Sequence, residues 1–388
     1  MFDADIAIVG GGVNGLLLAY NLSLLDNNVV LIDSLNIKER IKKRIDGRGI
    51  ALSKSSEKFL RKVDLWNEIF RKSGEIKKIC VSDYNSRPQL KFDCSDIGEE
   101  RLGIIAEMDD IQQAVYNKVI NSRLINVCDN EDVVSVDENG TQVVIRTKKN
   151  CFSAKLLIAC DGKNSFIRSH LNIKEFSYDY NQIAAVFNIQ HQKEHHNVAY
   201  ELFYPNGPLA ILPRNASNES SVVWVERNCA ENTEYFNNSN CLEELSRRIA
   251  KSHGDVNLLT RVNYYPLHLK CSKKYYSRKT IFIGDSLHHI HPVAGQGFNL
   301  SIKDIQCLCE LITEYKSYGL LLNDGKLFRE FFKKRVVSNI SMISITHGLE
   351  RVFSNNNFFF RKTRGIGLGV INKIASVKNI MMKYAIGR

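Results

Sequence analysis

The N-terminal part of the chain contains the feature that most restricts its fold, a glycine-rich turn between a buried strand and a helix. An apolar run at residues 6–9 predicts the strand, and residues 16–25 follow a helical pattern. The run GGGVNG at 10–15 lies between them, and a second apolar run at 29–32 ends at Asp33. A βαβ unit with a GxGxxG turn and an acidic residue about 20 positions further on is typical of a dinucleotide-binding domain.

Each glycine of this turn has a physical reason to be there. Gly10 permits the tight turn, Gly12 lets a pyrophosphate touch the backbone, and Gly15 lets the helix pack on the strand. Asp33 can accept hydrogen bonds from ribose hydroxyls. FAD and NAD share this pattern, so the turn does not choose between them. A glycine-rich turn without a ligand is the alternative, and the strand and helix around it argue against that alternative.

A second strand–loop–helix stretch is predicted at residues 280–304. An apolar run at 280–283 predicts the strand, and the chain then breaks near Asp285 into a polar loop. The proline and glycines of the run HPVAGQGFN at 291–299 predict irregular structure until Asn299, where a helical pattern begins. Glycines let a ligand approach the backbone, and a new helix offers N–H groups and the positive end of its dipole. Asp285 ends a strand, where α/β sheets usually hold a polar ligand.

Two shorter segments carry further candidate residues. The run GRGIALS at 47–53 predicts the start of a helix, and Arg48 taken alone would be a surface charge. The run DGKNSFIR at 161–168 follows a buried strand. Its local alternative is a helix N-cap by Asp161 followed by an exposed Arg168.

Together these segments resemble the motifs of flavin-dependent aromatic hydroxylases of the para-hydroxybenzoate hydroxylase type. The pattern GDxxH followed by PxxGQGxN, at 284–299, looks like the second FAD motif of that family. The sequence HPVAGQGFN within this motif is most similar to that of the ubiquinone-biosynthesis hydroxylase branch. The segments at 47–53 and 161–168 resemble the RxxALS and DGxxSxxR patterns of the same family, in the same order. One departure is Ser286-Leu287, which replaces the usual pair of alanines.

The resemblance implies an α/β fold: a Rossmann-like FAD-binding domain of the GR2 type, with an inserted, mainly antiparallel β-sheet substrate domain and a helical C-terminus. β-patterns between residues 183 and 269 fit the inserted sheet. The expected boundaries are 1–75, 96–180 and 271–345 for the three parts of the FAD-binding domain, 76–95 for a hairpin of the substrate domain, 181–270 for its main part, and 346–388 for a basic helical C-terminal segment.

The resemblance also carries functional residues over to this chain. Arg48 is expected over the cofactor, facing its pyrophosphate and the flavin, and Asp285 is expected to hold the ribityl chain. Ser165 and Arg168 are expected to support the pyrophosphate side and a nicotinamide cofactor. The expected cofactor-binding positions are Gly10, Gly12, Gly15, Asp33, Arg48, Asp161, Gly162, Asp285, Gly295, Gln296, Gly297 and Asn299. The expected catalytic positions are His291, Pro292 and Gln296. His291 and Pro292 are expected to shape the face where oxygen and substrate meet, and the backbone at 295–297 is expected to point hydrogen-bond donors toward the flavin.

The implied activity is that of an FAD-dependent monooxygenase. NADH or NADPH reduces the flavin, and a flavin C4a-hydroperoxide then hydroxylates the ring of a polyprenylated phenol in ubiquinone biosynthesis. Two alternatives stay open: a soluble aromatic hydroxylase or other FAD oxidoreductase of the same fold, and a non-catalytic protein that binds prenyl lipids. Four aromatic residues and one proline of the β-region are candidates for lining a substrate cavity, or for core packing: Tyr200, Phe203, Tyr204, Trp224 and Pro213.

Composition and charge restrict the remaining functions. Ten cysteines without a CxxC pair argue against a zinc or disulfide framework. His288, His289 and His291 lack an acidic or thiol ligand at a suitable offset, so no metal is expected. The net charge of +11 is spread along the chain, without a nucleic-acid-binding motif, so nucleic acid is not an expected partner.

Two sequence features indicate where in the cell the protein is expected: the C-terminal segment and the absence of a long apolar run. The chain contains no run of 18 apolar residues, so no membrane-spanning helix is expected. We expect a cytoplasmic protein without a secretory signal. Lysines interrupt the apolar residues of the C-terminal segment, which predicts peripheral contact with the anionic surface of the inner membrane. A helix packed on its own domain is the alternative, and docking of other ubiquinone-pathway enzymes is a further expected interaction.

Overall fold

The computed structural model describes residues 2–43, 47–83, 90–227, 239–292 and 295–353, together with Asn379. The strands are β1 (Phe2–Val9), β2 (Val29–Ile32), β3 (Gly49–Ser53), β4 (Gly74–Ile76), β5 (Lys78–Asp83), β6 (Leu90–Asp93), β7 (Gly103–Glu107), β8 (Ile125–Cys128), β9 (Val133–Asp137), β10 (Val143–Thr147), β11 (Cys151–Ala159), β12 (Glu175–His191), β13 (Val198–Tyr204), β14 (Gly207–Pro213), β15 (Glu219–Arg227), β16 (Val256–Leu258), β17 (Asn263–Ser272), β18 (Thr280–Phe282) and β19 (His288–His289). The helices are α1 (Val13–Ser23), α2 (Ile37–Lys43), α3 (Lys54–Lys62), α4 (Trp66–Phe70), α5 (Met108–Ile120), α6 (Phe166–His170), α7 (Ser239–His253), α8 (Gln296–Ser317) and α9 (Gly325–Phe353).

The first sheet is built from the apolar strands that the sequence predicts. Its order is β8-β2-β1-β11-β10-β9, and β18 also pairs with β11. The strands β8, β2, β1, β11 and β18 run parallel. The side chains of β2, of β18 and of residues 6–9 and 156–159 in β1 and β11 are buried, as expected for parallel strands in the centre of a sheet. The carboxyl ends of parallel strands meet at the same edge, so the loops that follow β1, β2, β11 and β18 lie together.

The second sheet is mainly antiparallel and has two different faces. Its order is β19-β17-β12-β15-β14-β13-β5-β6, with β16 paired to β12. Alternate residues of β12 show the two faces. Phe187 and Ile189 pack in a core with Leu245 of α7, whereas Ala184 and Val186 pack on the opposite side in a core with residues of the second glycine-rich stretch. We call these the α7 face and the inner face.

The α/β fold class is confirmed, with two corrections to local structure. Residues 49–53 form strand β3, which pairs with β7, and the helix begins only at Lys54 after the N-cap Ser53. The pairing partner is distant in sequence, so local pattern does not reveal it. Helix α8 begins at Gln296, three residues before the predicted start. Gly295 adopts the left-handed conformation before it, and a glycine in the first helical turn costs only about 0.5–1 kcal/mol.

The C-terminal part of the chain is described only as far as Phe353 in α9, apart from Asn379. Most of the predicted basic segment 346–388 therefore lies outside the described residues, and the domain boundaries stay predictions. Within the described residues, no helix combines the length and the hydropathy needed to cross a membrane.

Candidate cofactor and active site

The first glycine-rich loop connects β1 to α1, and its glycines have different surroundings. A Cβ on Gly10, whose φ is +106°, would lie 2.3 Å from the carbonyl oxygen of Cys160. A Cβ on Gly15 would lie 1.8 Å from the carbonyl oxygen of Gly10. A Cβ on Gly12, by contrast, would meet no atom within 4 Å. Packing therefore requires Gly10 and Gly15, whereas Gly12 faces open space at the uncapped N-terminus of α1.

Asp33, directly after β2, holds the backbone of this loop in place through hydrogen bonds. Its carboxylate accepts hydrogen bonds from the N–H groups of Gly11 at 2.5 Å and Leu35 at 2.8 Å. Arg40 of α2 donates to the same carboxylate at 3.1 Å and to the carbonyl of Gly11 at 2.5 Å. Arg40 also reaches the second carboxylate oxygen at 3.2 Å, so these contacts already occupy the approximately four acceptor positions of the carboxylate. The ribose contact stays a prediction; sequence reasoning missed Arg40, which local pattern presents only as one of several basic residues.

The run at residues 161–168, which we call the DG segment, follows β11 and lies next to the first loop. Asp161 accepts the N–H of Ile167 at 3.0 Å through Oδ2, and burial raises the pKa of its carboxyl group. In the described part of the chain, its buried Oδ1 has no hydrogen-bond partner. Gly162, with a φ of +82°, also has open space where a Cβ would lie. Ser165, and not Asp161, is the N-cap of α6, because its hydroxyl accepts the N–H of Arg168.

Arg168 is buried, so the local alternative of an exposed arginine is wrong. Its guanidinium donates to the carbonyl groups of Ser286 at 2.8 Å and Lys163 at 2.9 Å, and forms an ion pair with Glu175. These contacts join the DG segment to the turn that follows β18. Arg168 therefore holds two of the cofactor segments in their relative position.

The turn after β18 begins with Gly284 and lies directly against the first loop. A Cβ on Gly284 would lie 2.3 Å from the Asn14 side-chain nitrogen. Asp285 accepts a hydrogen bond from His289 at 3.2 Å. Burial opposes ionisation of Asp285, but this hydrogen bond and nearby positive charge hold its pKa below the ordinary value. The side chain is therefore an ionised acceptor at the edge where the loops meet.

Ser286 and Leu287, which stand where the resembling family has two alanines, are both accommodated within the core. The Ser286 hydroxyl is fully buried and donates to the carbonyl of Ala159 at 2.6 Å. Leu287 is buried in the main core. Neither substitution places a side chain where it could obstruct the loops.

Asn299 connects the start of α8 to the segment around β3. Its Oδ1 accepts hydrogen bonds from the Ser53 N–H at 3.0 Å and the Ser56 hydroxyl at 2.7 Å. Its Nδ2 donates to the carbonyl of Ala51 at 2.7 Å. The side chain of Asn299 thus positions the N-terminus of α8, where Gly295 replaces a capping side chain. The predicted approach of the backbone at 295–297 to a flavin, and the cofactor contact of Gln296, stay predictions.

Arg48 lies between the two sheets, in the turn that precedes β3. Ser221 of the inner face accepts the N–H of Gly49 and donates to the carbonyl of Gly47, both at 3.2 Å. The guanidinium of Arg48 lies 5.8 Å from the ring centroid of Tyr265, and its charge contributes to the lowered pKa of Asp285. The structure therefore brings the charge of Arg48 close to Asp285, and the predicted position of Arg48 over the cofactor stays a prediction.

His291 and Pro292 lie between the turn and α8. His291 is fully buried, contacts Gln182 at 3.1 Å through Nε2, and packs its ring edge-on against Tyr180 at 4.8 Å. Burial lowers its pKa to about 3, so the imidazole is neutral at physiological pH. This environment suits a residue that holds the loop against the inserted sheet. Pro292 is exposed, and catalytic roles for both residues stay predictions.

Three of the aromatic candidates for a substrate cavity belong to the α7 face. Tyr200, Tyr204 and Trp224 pack in the core beneath α7. Arg248 of α7 lies 4.1 Å from the Tyr204 ring centroid and 4.6 Å from that of Trp224. These residues pack on the α7 side of the sheet, which favours the core-packing alternative for them. The sequence shows the alternation but not which face carries the helix.

The converging loops fit a dinucleotide cofactor. Gly12 and Gly162 leave open space where side chains would project, and the helices α1 and α8 begin without side-chain caps. Buried acceptor atoms of Asn14 and Asp161 have no hydrogen-bond partner among the described residues. Free helix N–H groups suit a pyrophosphate, and acceptors suit hydroxyl groups. Over the same residues, no cluster of three or more His, Cys, Asp or Glu is placed to hold a metal.

The fold and these loops define a dinucleotide-binding protein with an inserted, mainly antiparallel second sheet. A family profile described as "FAD binding domain" matches residues 3–317, and the chain belongs to this family. The chain is 29% identical to ubiquinone hydroxylase UbiL of Rhodospirillum rubrum, over 99% of this chain and 90% of that protein. It is 25% identical to 3-demethoxyubiquinol 3-hydroxylase of Escherichia coli, over 99% and 98% of the two chains.

Among solved structures, p-nitrophenol 4-monooxygenase PnpA from Pseudomonas putida has the same fold. The TM-score is 0.83 at 16% sequence identity, over 100% of this chain and 99% of PnpA. The family and its relatives confirm the predicted resemblance and the FAD cofactor. The chain is an FAD-dependent monooxygenase.

Proposed function

We propose that this protein hydroxylates the aromatic ring of a polyprenylated phenol in ubiquinone biosynthesis. The observation that carries the proposal is the match, over almost the whole chain, to ubiquinone hydroxylase UbiL and 3-demethoxyubiquinol 3-hydroxylase. Ile290 and Leu300, which flank the run HPVAGQGFN, pack against the inserted sheet, so the segment that resembles this branch begins and ends beside that sheet.

The inner face of the second sheet has the polarity that such a substrate requires. Ala184, Val186, Val223, Val225 and Leu267 form an apolar face that packs against residues of the second glycine-rich stretch. An apolar surface favours a prenylated ring, because each CH₂ group removed from water contributes about 0.8 kcal/mol.

The polar groups of the site lie at the border of this apolar face. Arg48 brings positive charge beside Asp285, while the neutral His291 adds none at physiological pH. When bound, FAD supplies the oxygen-transfer chemistry, with NADH or NADPH as electron donor and O₂ as oxygen source. The protein's part is to bind both molecules, orient the ring and exclude water.

A deletion strain of the source organism tests the proposed pathway. Loss of the gene is expected to lower ubiquinone and to accumulate a prenylated phenol, and the restored gene is expected to reverse both changes. Normal ubiquinone without an accumulated precursor would contradict the proposal. In vitro, shortening the prenyl chain is expected to lower kcat/KM, whereas a soluble aromatic hydroxylase would prefer the small phenol.

Peripheral attachment to a membrane is part of the same proposal. Lys333, Val337 and Ile340 share one exposed face of α9, at helical spacing. An apolar strip beside lysines suits the surface of an anionic bilayer. The full chain is expected to sediment with vesicles that contain an anionic phospholipid, and to bind them more weakly at high salt. Equal binding to neutral vesicles would contradict the electrostatic part of this proposal.

A further inference from the structure

Glu201 is a carboxylate in β13 that points to the inner face of the second sheet. Its neighbours along the strand, Tyr200 and Leu202, pack in the core beneath α7. Because side chains alternate along a strand, Glu201 lies on the opposite face. It is half-buried there.

Pairing across the sheet places Glu201 in a row that faces the second glycine-rich stretch. Glu201 pairs with Ala210, Ala210 pairs with Val223, and Val223 pairs with Val186. Val186 and Val223 pack in one core with Ile290, which directly precedes the HPVAGQGFN run. The row of Glu201 thus leads, two strands further on, to the apolar face proposed to contact the substrate.

A second set of contacts connects the same part of β13 to the start of α8. Ala199, two residues before Glu201 and on the same face, packs in a small core with Ala51 of β3. A Cβ on Gly295 would lie 3.0 Å from the Cβ of Ala51, so β3 separates Ala199 from the α8 N-terminus. Glu201 therefore lies beside the contact between the inserted sheet and the cofactor loops.

The environment of Glu201 differs from that of the other acidic residues near the site. Asp33 is held by Arg40 and Asp285 by His289. Among the described residues, no hydrogen bond or ion pair reaches the Glu201 carboxylate, and burial alone raises its pKa to about 7. A carboxyl group with a pKa near the working pH can exchange a proton readily in either direction.

We propose that Glu201 accepts the proton of the phenolic hydroxyl of the substrate. This proposal rests on the proposed function, because it requires a phenol on the inner face. The O–H bond of the phenol breaks, its proton moves to a carboxylate oxygen of Glu201, and the electron pair stays on the phenolic oxygen. The ring becomes richer in electrons and reacts more readily with an electrophilic oxygen. Glu201 returns the proton to solvent after the product leaves.

The test is the pH dependence of product formation by the FAD-loaded full chain and its Glu201→Gln variant. For the wild type, kcat/KM is expected to fall about tenfold per pH unit below pH ~7, because protonated Glu201 cannot accept a proton. The variant is expected to lose this acidic limb and to be slower at pH 8 by about 10²- to 10⁴-fold. Glu243→Gln, at an exposed position of α7, is the matched control and keeps the wild-type profile.

Two further measurements separate the possible outcomes. Glu201→Asp is expected to retain the acidic limb at a lower rate, which a purely structural role would not predict, and it replaces the glutamine variant if that variant fails to fold. If kcat/KM of Glu201→Gln or Glu201→Asp keeps the wild-type value at pH 8 and the same fall below pH ~7, the proposed role of Glu201 is wrong. The wild type and the Glu201 variant are each assayed with a prenylated phenol and with a small phenol. If only the small phenol reacts and the limb depends on Glu201, the substrate class is wrong while the role of Glu201 stands.

Discussion

Gly12 and Gly15 belong to the same glycine-rich segment, yet alanine is expected to affect a different property at each position. Gly12→Ala should lower the affinity for FAD, whereas Gly15→Ala should lower the stability of the fold. Gly12 has φ −67° and ψ 179°, which any residue can adopt, and its Cβ would meet no atom within 4 Å. Gly12→Ala should therefore change the free energy of unfolding by no more than about 1 kcal/mol. Its methyl group would, however, project toward the space assigned to the pyrophosphate.

The effect of Gly12→Ala on FAD affinity follows from the contacts it displaces. Loss of one hydrogen bond to a charged group costs about 1.5–3 kcal/mol. The dissociation constant of FAD is therefore expected to rise roughly 10- to 150-fold. Gly15→Ala would place a Cβ 1.8 Å from the Gly10 carbonyl oxygen, and such overpacking costs about 3 kcal/mol or more of folding stability.

The assay is a titration of flavin-free protein with FAD, followed by flavin fluorescence, together with thermal unfolding of each variant. Gly348→Ala is the control, because a Cβ there also meets no atom within 4 Å but lies on α9, away from the loop. The control should bind FAD like the wild type. Wild-type FAD affinity in Gly12→Ala would refute the assignment of this loop to the pyrophosphate.

Three further variants test other parts of the site. Arg168→Ala removes the hydrogen bond to the Ser286 carbonyl and the buried partner of Glu175, which keeps only Lys270 at 3.6 Å, so we expect a loss of about 3 kcal/mol of folding stability, measured by urea unfolding at fixed FAD concentration. Asn299→Ala removes the hydrogen bonds that position α8 and should weaken FAD binding as well as lower the unfolding temperature; unchanged affinity would contradict its positioning role. Glu201→Gln should be more stable than the wild type above pH ~7, by up to about 3 kcal/mol, because the folded state raises the glutamate pKa from 4.5 to about 7. This difference should vanish below about pH 4.5, where the glutamate is protonated in both states, and its absence at pH 8 in urea unfolding would contradict the raised pKa.

Much of the cofactor region could be predicted from sequence because its signals are local. The first loop needs glycines at fixed spacing between a strand and a helix, and all of these lie within about 30 residues of each other. The second stretch likewise combines strand, loop and helix in one continuous segment. Order along the chain was sufficient to predict that the loops converge, because parallel strands present their carboxyl ends at one edge.

The remaining features depend on partners that are distant in sequence. Strand β3 exists because β7 pairs with it, and local propensity at residues 47–53 does not show that partner. The burial of Arg168 depends on a carbonyl group 118 residues away. The alternation along β13 was visible, but only the position of α7 decides that Tyr200 belongs to the core and Glu201 to the inner face.

The most direct test of the central claim is a single reaction under isotopically labelled O₂. Purified chain with bound FAD receives NADH or NADPH and a polyprenylated phenol, and the product is analysed by mass spectrometry. The account predicts a hydroxylated prenylphenol that carries one labelled oxygen atom and forms only with flavin present. Consumption of the nicotinamide without a labelled organic product would contradict it.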